Sequence, residues 1–328
     1  MLVDRCNRRI TYLRVSVTDR CNLRCVYCMP PEGVSWQPHE SIMRYEEIGE
    51  IIRIAAEEGI REVRLTGGEP LVRKNLADLV GIIAVIPGIE DISLTTNGIL
   101  LADQAEALKA AGLKRINVSL DTMDPEKYSK ITRGGKIERV FEGLQKAEDV
   151  GLEPIKLNMV LLKGVNDGDI RQLAVLSKDH RWEIRFIELM PVKNQQKWGD
   201  GFPDPQEMFL PVSQVKSLLE PDGLEPVRTK TGTGPAEIYS FPNAKGTIGF
   251  INPLSESFCE NCNRLRLTAD GNLRPCLLSD VEVPLLATLR AGGDIRPLLY
   301  RSMEVKPENH ELNRNLAPVA RCMMQIGG

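Results

Sequence analysis

From Tyr12 to about Glu188 the apolar positions switch repeatedly between two spacings. Short runs (YLRVSVT, EVRLTG, DISLTTNG, RINVSLD, PIKLNMVLL and WEIRFIEL) read as strands. They are brief, rich in β-branched residues and bounded by turn formers. Between them lie EEIGEIIRIAAEEG, NLADLVGIIAVI, ADQAEALKAAG, ERVFEGLQKAEDVG and GDIRQLAVLS, whose apolar residues recur at helical spacing. Gly59, Gly112 and Gly151 stand where helices should end in a left-handed cap. Strands alternating with helices are the mark of βα units around a parallel sheet. Six strands fit an open doubly wound sheet and a partial barrel equally well, and periodicity does not choose between them.

The pattern breaks after Met190. PVKNQQKWGDGFPDPQ is polar and rich in turn formers, as a linker or an active-site loop would be. A short helix (VSQVKSLLE) is expected next, then short strands at EIYSF and TIGFI. RLRLTADGNLRPC reads as a hairpin turning at Asp270-Gly271, and helical pieces follow near 284–291 and 293–304. The expected organisation is a barrel over 1–190 and a C-terminal region over 191–328.

Composition narrows the function. A net charge of −3 gives no general attraction to nucleic acid or to an anionic membrane, so neither is an expected partner. MLVDRCNRRI lacks the apolar core of a secretory signal, and Leu79–Ile86 is too short to span a bilayer. The expected location is the cytoplasm, a reducing compartment where clustered cysteines favour metal binding or catalysis over disulfides. Six of the eight cysteines form two trios: Cys21, Cys25, Cys28 and Cys259, Cys262, Cys276. Cys6 and Cys322 read as ordinary thiols. Only three histidines are present, which disfavours a His-based triad or metal centre.

In the first trio the spacing i, i+4, i+7 would make one stripe on a helix. Asn22, Arg24, Arg20 and Pro30-Pro31 make a poor helix, however. A helix would also spread the sulfurs over about 10 Å at 1.5 Å per residue. A loop can wrap all three around one centre. Zinc with a fourth ligand from elsewhere remains an alternative. C-x3-C-x2-C with Tyr27 before the last cysteine resembles the signature of the radical S-adenosylmethionine enzymes. The resemblance implies a partial (β/α)6 barrel and a [4Fe-4S] cluster with one open iron. That iron holds S-adenosylmethionine, which is cleaved to a 5′-deoxyadenosyl radical. The loop after the first strand then sits at the barrel mouth. LTGGEP, with Gly67-Gly68 allowing close backbone approach, resembles the family's methionine-binding segment. By the same resemblance Tyr27, Gly68, Ser119 and Met190 contact S-adenosylmethionine.

The second trio is spaced C-x2-C-x13-C, again three thiolates without a fourth. Zinc with a borrowed ligand is the alternative here too. The order of TYLRVSVTDRCNLRCVYCMP, VRLTGGEPL, LTTNG, INVSLD, GPAEIY, CENCNRLRLTADGNLRPCL and the terminal IGG closely resembles the GTP-cyclising family of molybdenum cofactor biosynthesis. That resemblance covers nearly the whole chain. It implies a C-terminal extension carrying a second [4Fe-4S] cluster, whose open iron binds the guanine of GTP. It implies hydrogen removal from C3′, attack on C8, and 3′,8-cyclo-7,8-dihydro-GTP as product.

A triphosphate needs several cationic donors, and arginine offers a bidentate fork. Arg264 and Arg266 alternate onto one strand face, while Arg14, Arg64 and Lys156 lie inside otherwise apolar strands where unpaired charge is costly. By resemblance Arg14, Arg64, Thr95, Lys156, Arg264 and Arg266 contact GTP, with Asn263 and Leu265 adding backbone contacts. Arg14, Arg264, Arg266, Gly327 and Gly328 serve the reaction, the Gly-Gly tail by entering the site. The implied partners are GTP, a reductant, a downstream cyclic pyranopterin monophosphate synthase and a second copy of the chain. A two-cluster enzyme acting on a peptide and a zinc-stabilised binding module are the competing readings.

Overall fold

The computed structural model describes residues 1–192, 198–199, 201–205, 207–227, 234–310 and 318–327. The expected strands form as β1 (Tyr12–Ser16), β2 (Glu62–Thr66), β3 (Asp91–Thr96), β4 (Arg115–Ser119), β5 (Ile155–Leu161) and β6 (Glu183–Glu188). They pair in chain order, all parallel. The intervening helices are α1 (Tyr45–Glu57), α2 (Leu76–Ala84), α3 (Leu101–Ala110), α4 (Pro125–Thr132), α5 (Ile137–Asp149) and α6 (Ile170–Asp179). The sequence pattern did not reveal α4. Its eight residues are mostly polar and bury only Tyr128, Ile131 and Thr132, although Asp124 caps it by accepting from the Glu126 and Lys127 amides and Pro125 occupies its first turn.

The later residues add α7 (Val212–Leu219), β7 (Glu225–Pro226), β8 (Glu237–Ser240), β9 (Thr247–Ile251), β10 (Arg264–Leu267), β11 (Asn272–Arg274), β12 (Val283–Pro284), α8 (Leu285–Arg290) and α9 (Arg296–Glu304). The expected hairpin is β10–β11, paired antiparallel with Leu267 opposite Leu273. These strands extend the sheet at both edges. β10 lies parallel against β1, and β9 lies parallel against β6, giving the order β12-β11-β10-β1-β2-β3-β4-β5-β6-β9-β8-β7.

Alternation along the strands sorts the side chains. One face carries Leu13, Val15, Val63, Leu65, Ile92, Leu94, Ile116, Val118, Leu157, Met159, Ile184 and Phe186, all buried in the main core. The other carries Tyr12, Arg14, Arg64, Thr66, Thr95, Ser119, Lys156, Asn158 and Arg185, which line a single cavity with Arg264 and Arg266. One cavity lined by every strand from β1 to β6 requires a curled sheet. The fold is the partial barrel, and the open doubly wound alternative falls away. Among the described residues no helix is long and apolar enough to cross a membrane.

Candidate active site

The cavity has a volume of 740 Å³. Cys21, Cys25 and Cys28 lie at its mouth on the loop after β1 and all three line it. The loop is not helical. The amides of Cys28 and Met29 turn back to the Cys25 carbonyl, at 2.9 and 3.0 Å. Its backbone is stitched to α4: Arg24 N donates to Thr132 O at 3.1 Å and Val26 N to Ile131 O at 3.0 Å. The Tyr27 hydroxyl donates to Asp121 Oδ2 at 2.7 Å, and Asp121 Oδ1 accepts from the Val160 amide at 2.9 Å. Burial pushes the Asp121 carboxyl up to about 6. Burial likewise pushes the Cys21 thiol up to about 11 and raises those of Cys25 and Cys28, with Cys28 and Cys21 adding to the shift of Cys25, and Cys21 to that of Cys28. Three buried sulfurs close enough to repel one another need a cation between them to ionise together.

Gly68 also lines the mouth, and what it approaches most closely is the chain itself. Its amide donates to Thr18 O at 2.8 Å, and a Cβ there would lie 2.3 Å from the Arg20 carbonyl oxygen. The pair of glycines thus presses β2 onto the residues leading into the cysteine loop. Glu69 accepts from the Leu71 amide, the Thr96 hydroxyl and the Asn97 amide at 3.0, 2.7 and 2.6 Å. Burial nevertheless pushes its carboxyl up to about 7. Ser119 and Met190 line the same end.

The second trio is assembled by the hairpin. Cys262 shortly precedes β10 and Cys276 shortly follows β11, so the thirteen residues between them fold back and bring the two together. Cys259 joins from the short helical turn Cys259–Asn261. Because β10 runs parallel to β1 with Arg264 opposite Tyr12, this trio lies level with the start of β1, whereas the first lies beyond its end. β1 spans five residues, so the trios are separated by roughly 15 Å at about 3.3 Å per residue. The cysteines of the second trio do not line the cavity; their neighbours Phe258, Arg264 and Leu277 do. Burial works against ionising Cys262, but Lys306, the Arg264 amide, and the charges of Arg264 and Arg8 hold its thiol below the usual range. Cys276 is raised by burial. Among the described residues no three His, Cys, Asp or Glu side chains close on a single metal ion. A cubane, whose separate corner irons each take one thiolate, asks for wider spacing, and three cysteines per seat suit it.

Between the trios, Arg266, Arg14 and Arg64 stand side by side on three adjacent strands, Arg14 in register with both others. Arg64 donates to Ser93 Oγ at 3.2 Å and to the Asn117 amide oxygen, both neutral. Burial, aided by neighbouring positive charge, pulls Arg64 and Arg266 down to about 10 and lowers Arg14 further. An arginine keeps its proton, so the shifts of Arg64 and Arg266 express a demand for an anion. Arg115, at the floor, is already matched by Asp91 at 2.6 Å and Glu62 at 3.5 Å. On the far wall Glu183 holds Lys156 at 2.8 Å and Arg185 at 2.5 Å. Burial and then Arg185 bring the Lys156 ammonium down to about 8. Thr95 Oγ1 and Asn158 Oδ1 are buried without a hydrogen-bond partner among the described residues, and both residues line the cavity. Arg185, Glu183, Asn158 and Asp121 were not singled out in the sequence. The signal was present for Arg185, a charge alternating with apolar residues in WEIRFIEL. The Leu265 side chain faces the opposite, apolar side and is buried in the core, so only its backbone is near the site. Asn263 donates to Thr11 Oγ1 at 3.0 Å.

The tail enters the cavity. Arg321 grips Asp270 and Glu282, and the Val319 amide donates to Asp280 at 2.8 Å. Beyond them Met323–Ile326 make a short helical turn. The Gly327 carbonyl oxygen accepts from Arg14 Nη2 at 2.7 Å, Arg266 Nη1 at 3.2 Å and Thr66 Oγ1 at 3.4 Å. Gly328 lies outside the described residues, as does part of the polar stretch after Pro191.

A curled parallel sheet with a cysteine trio at its mouth defines a radical S-adenosylmethionine barrel, and residues 15–176 match the Radical SAM superfamily. Residues 182–312 match the Molybdenum Cofactor Synthesis C family. A GTP 3′,8-cyclase of Pelotomaculum thermopropionicum is 48% identical over 330 residues, covering 99% of each chain. One from Alkaliphilus metalliredigens is 48% identical over 327 residues, again with 99% of each covered. Among solved structures, Streptococcus suis SuiB bound to S-adenosylmethionine aligns over 90% of this chain and 68% of its own, with a TM-score of 0.61 at 14% identity. That likeness concerns the barrel fold. The chain belongs to the GTP 3′,8-cyclase family within the radical S-adenosylmethionine superfamily.

Proposed function

We infer that this protein converts GTP to 3′,8-cyclo-7,8-dihydro-GTP in molybdenum cofactor synthesis. The observation that carries this reading is the row Arg266, Arg14, Arg64, three adjacent cations facing one cavity between two cysteine trios. Cys21, Cys25 and Cys28 would hold one [4Fe-4S] cluster, with S-adenosylmethionine against Tyr27, Gly68, Ser119 and Met190. Cys259, Cys262 and Cys276 would hold the other. When bound, the clusters and S-adenosylmethionine supply one-electron chemistry at the mouth and an open iron for the guanine at the far end.

The protein's own part is binding, orientation and exclusion of water. Arg14, Arg64, Arg264, Arg266 and Lys156 take the negative charge of the triphosphate. Thr95 offers its unpartnered hydroxyl to the nucleotide. Holding both ends of GTP fixes the ribose edge toward the mouth, where a misplacement of about 1 Å is costly. The Gly327 carbonyl, bound by Arg14 and Arg266, aligns these two donors and closes the space beside them. Exclusion of water protects a reactive carbon centre from side reactions.

The product would pass to a cyclic pyranopterin monophosphate synthase. A one-electron reductant, a second copy of the chain and a cytoplasmic location complete the reading. The test is anaerobic incubation of the iron-loaded protein with GTP, S-adenosylmethionine and dithionite. Cyclised nucleotide and 5′-deoxyadenosine should form together. 5′-Deoxyadenosine without a cyclised nucleotide would assign the chain a different substrate.

A further inference from the structure

Lys306 follows α9 closely, and its side chain turns inward until only 5% of the residue is exposed. Its ammonium donates to the Pro275 carbonyl at 2.6 Å, the Arg264 carbonyl at 2.9 Å and the Cys262 sulfur at 3.6 Å. An ammonium has three donors and no acceptor, so all three are used. The acceptors belong to the two ends of the β10–β11 hairpin: Cys262 and Arg264 at its start, Pro275 just before Cys276. Carbonyl oxygens carry only partial charge. A buried cation is costly unless an anion meets it, and Cys262 would supply that anion once it ligates a cluster as a thiolate.

A second buried cation supports the same segment from outside. Arg8 donates to the Cys259 carbonyl at 2.7 Å, and to the carbonyls of Glu308 and Pro307 at 2.8 and 2.6 Å. It thereby ties the first cysteine of the trio to the stretch that carries Lys306. The trio at the barrel mouth is built differently. Cys21 Sγ accepts from the Leu23 amide at 3.4 Å and the Asn97 side-chain amide at 3.9 Å, both neutral donors.

We propose that Lys306 is a positioning residue of the second trio, clasping the two hairpin ends at the spacing a cluster needs and raising the reduction potential of that cluster. The proposal rests on the reading of this trio as a cluster seat. A cluster's potential responds to net charge and to hydrogen bonds on its sulfurs. A cation donating to a ligand sulfur favours the more negative, reduced state, so the charge of Lys306 makes the second cluster easier to reduce.

The test compares the iron-loaded full-length protein with its Lys306→Gln and Lys306→Arg variants by EPR-monitored redox titration. Lys306→Gln keeps a hydrogen-bond donor and removes the charge; Lys306→Arg keeps the charge. Replacing Cys21, Cys25 and Cys28 by serine in parallel samples assigns the second signal. Iron per chain and far-ultraviolet circular dichroism are recorded for every sample. Expected are unchanged iron in both variants and a lower midpoint in Lys306→Gln. Poised at the wild-type midpoint, its ratio of reduced to oxidised second cluster falls about tenfold, equivalent to about 59 mV for one electron. The Lys306→Arg midpoint and the signal of the first cluster stay near wild type. A wild-type midpoint in fully loaded Lys306→Gln would overturn the role of Lys306, as would an equal shift in Lys306→Arg. Absence of a second signal in the unmutated protein would overturn the cluster reading itself.

Discussion

Arg14 Nη2 lies 2.7 Å from the carbonyl oxygen of Gly327, a contact that spans 313 positions of the chain. It joins the first strand of the barrel to the last described residue. The tail is therefore part of the site wall, anchored by Arg321 and seated on the arginines that face the cavity.

Gly327 should tolerate no side chain. Its φ is +77°, and a Cβ would sit 2.8 Å from Thr66 Cγ2. Left-handed backbone costs a non-glycine residue of order 1–3 kcal/mol. In Gly327→Ala the tail should lift from Arg14 and Arg266. Cyclised product should fall at least tenfold while iron content and 5′-deoxyadenosine formation persist, as nucleotide chromatography would reveal. Deleting Gly327 and Gly328 should do the same.

Arg266→Ala removes one of three adjacent cations and the donor to the Ile326 and Gly327 carbonyls. A hydrogen bond to a charged group contributes about 1.5–3 kcal/mol. The expected loss in kcat/KM for GTP is therefore about 10- to 150-fold, with iron per chain unchanged. Iron loss in parallel with activity would make Arg266 structural.

Lys156 sets an alkaline limit. Its ammonium titrates at about 8 rather than 10.5, so the free protein loses this charge as pH rises through 8. kcat/KM for GTP should decline above that pH, well before an ordinary lysine would titrate. Glu183→Gln removes the carboxylate that supports the ammonium and should shift the decline to lower pH. The sign for folding is opposite. Between about 8 and 10.5 the unfolded chain binds more protons at this residue, so Lys156 makes stability rise with pH across that window. A kcat/KM profile flat to pH 10 would contradict the assignment.

Gly68→Ala should act on the cysteine loop. A Cβ 2.3 Å from the Arg20 carbonyl meets backbone, not a movable side-chain end. The stretch entering the loop must shift, and the first cluster should load poorly while the second is retained. Iron per chain, combined with EPR, reads this directly.

The chemistry was legible where it is local. Cys21, Cys25 and Cys28 fall within eight residues, and the poor helix formers among and beside them pointed to a loop around one compact centre. The Asp270-Gly271 turn announced the hairpin that brings Cys262 to Cys276. Arg14, Arg64 and Lys156 stood out because charge inside a strand needs a reason. What sequence could not give was adjacency between distant segments. Nothing in RLRL says that it pairs with YLRVS, and that pairing places Arg266 beside Arg14. Lys306 was hidden for the same reason: at the end of a surface helix a lysine reads as solvated, and only packing turns it onto Cys262. α4 was missed because eight mostly polar residues offer too few apolar positions to show a period, yet it holds the cysteine loop in place.

The most direct test of the account is iron and sulfide analysis with Mössbauer spectroscopy of anaerobically loaded protein, alongside the two triple cysteine-to-serine variants. Two cubanes, about eight irons per chain, are predicted for the unmutated protein, and about four for each variant. Zinc in either trio, or a variant that keeps both cubanes, would contradict it.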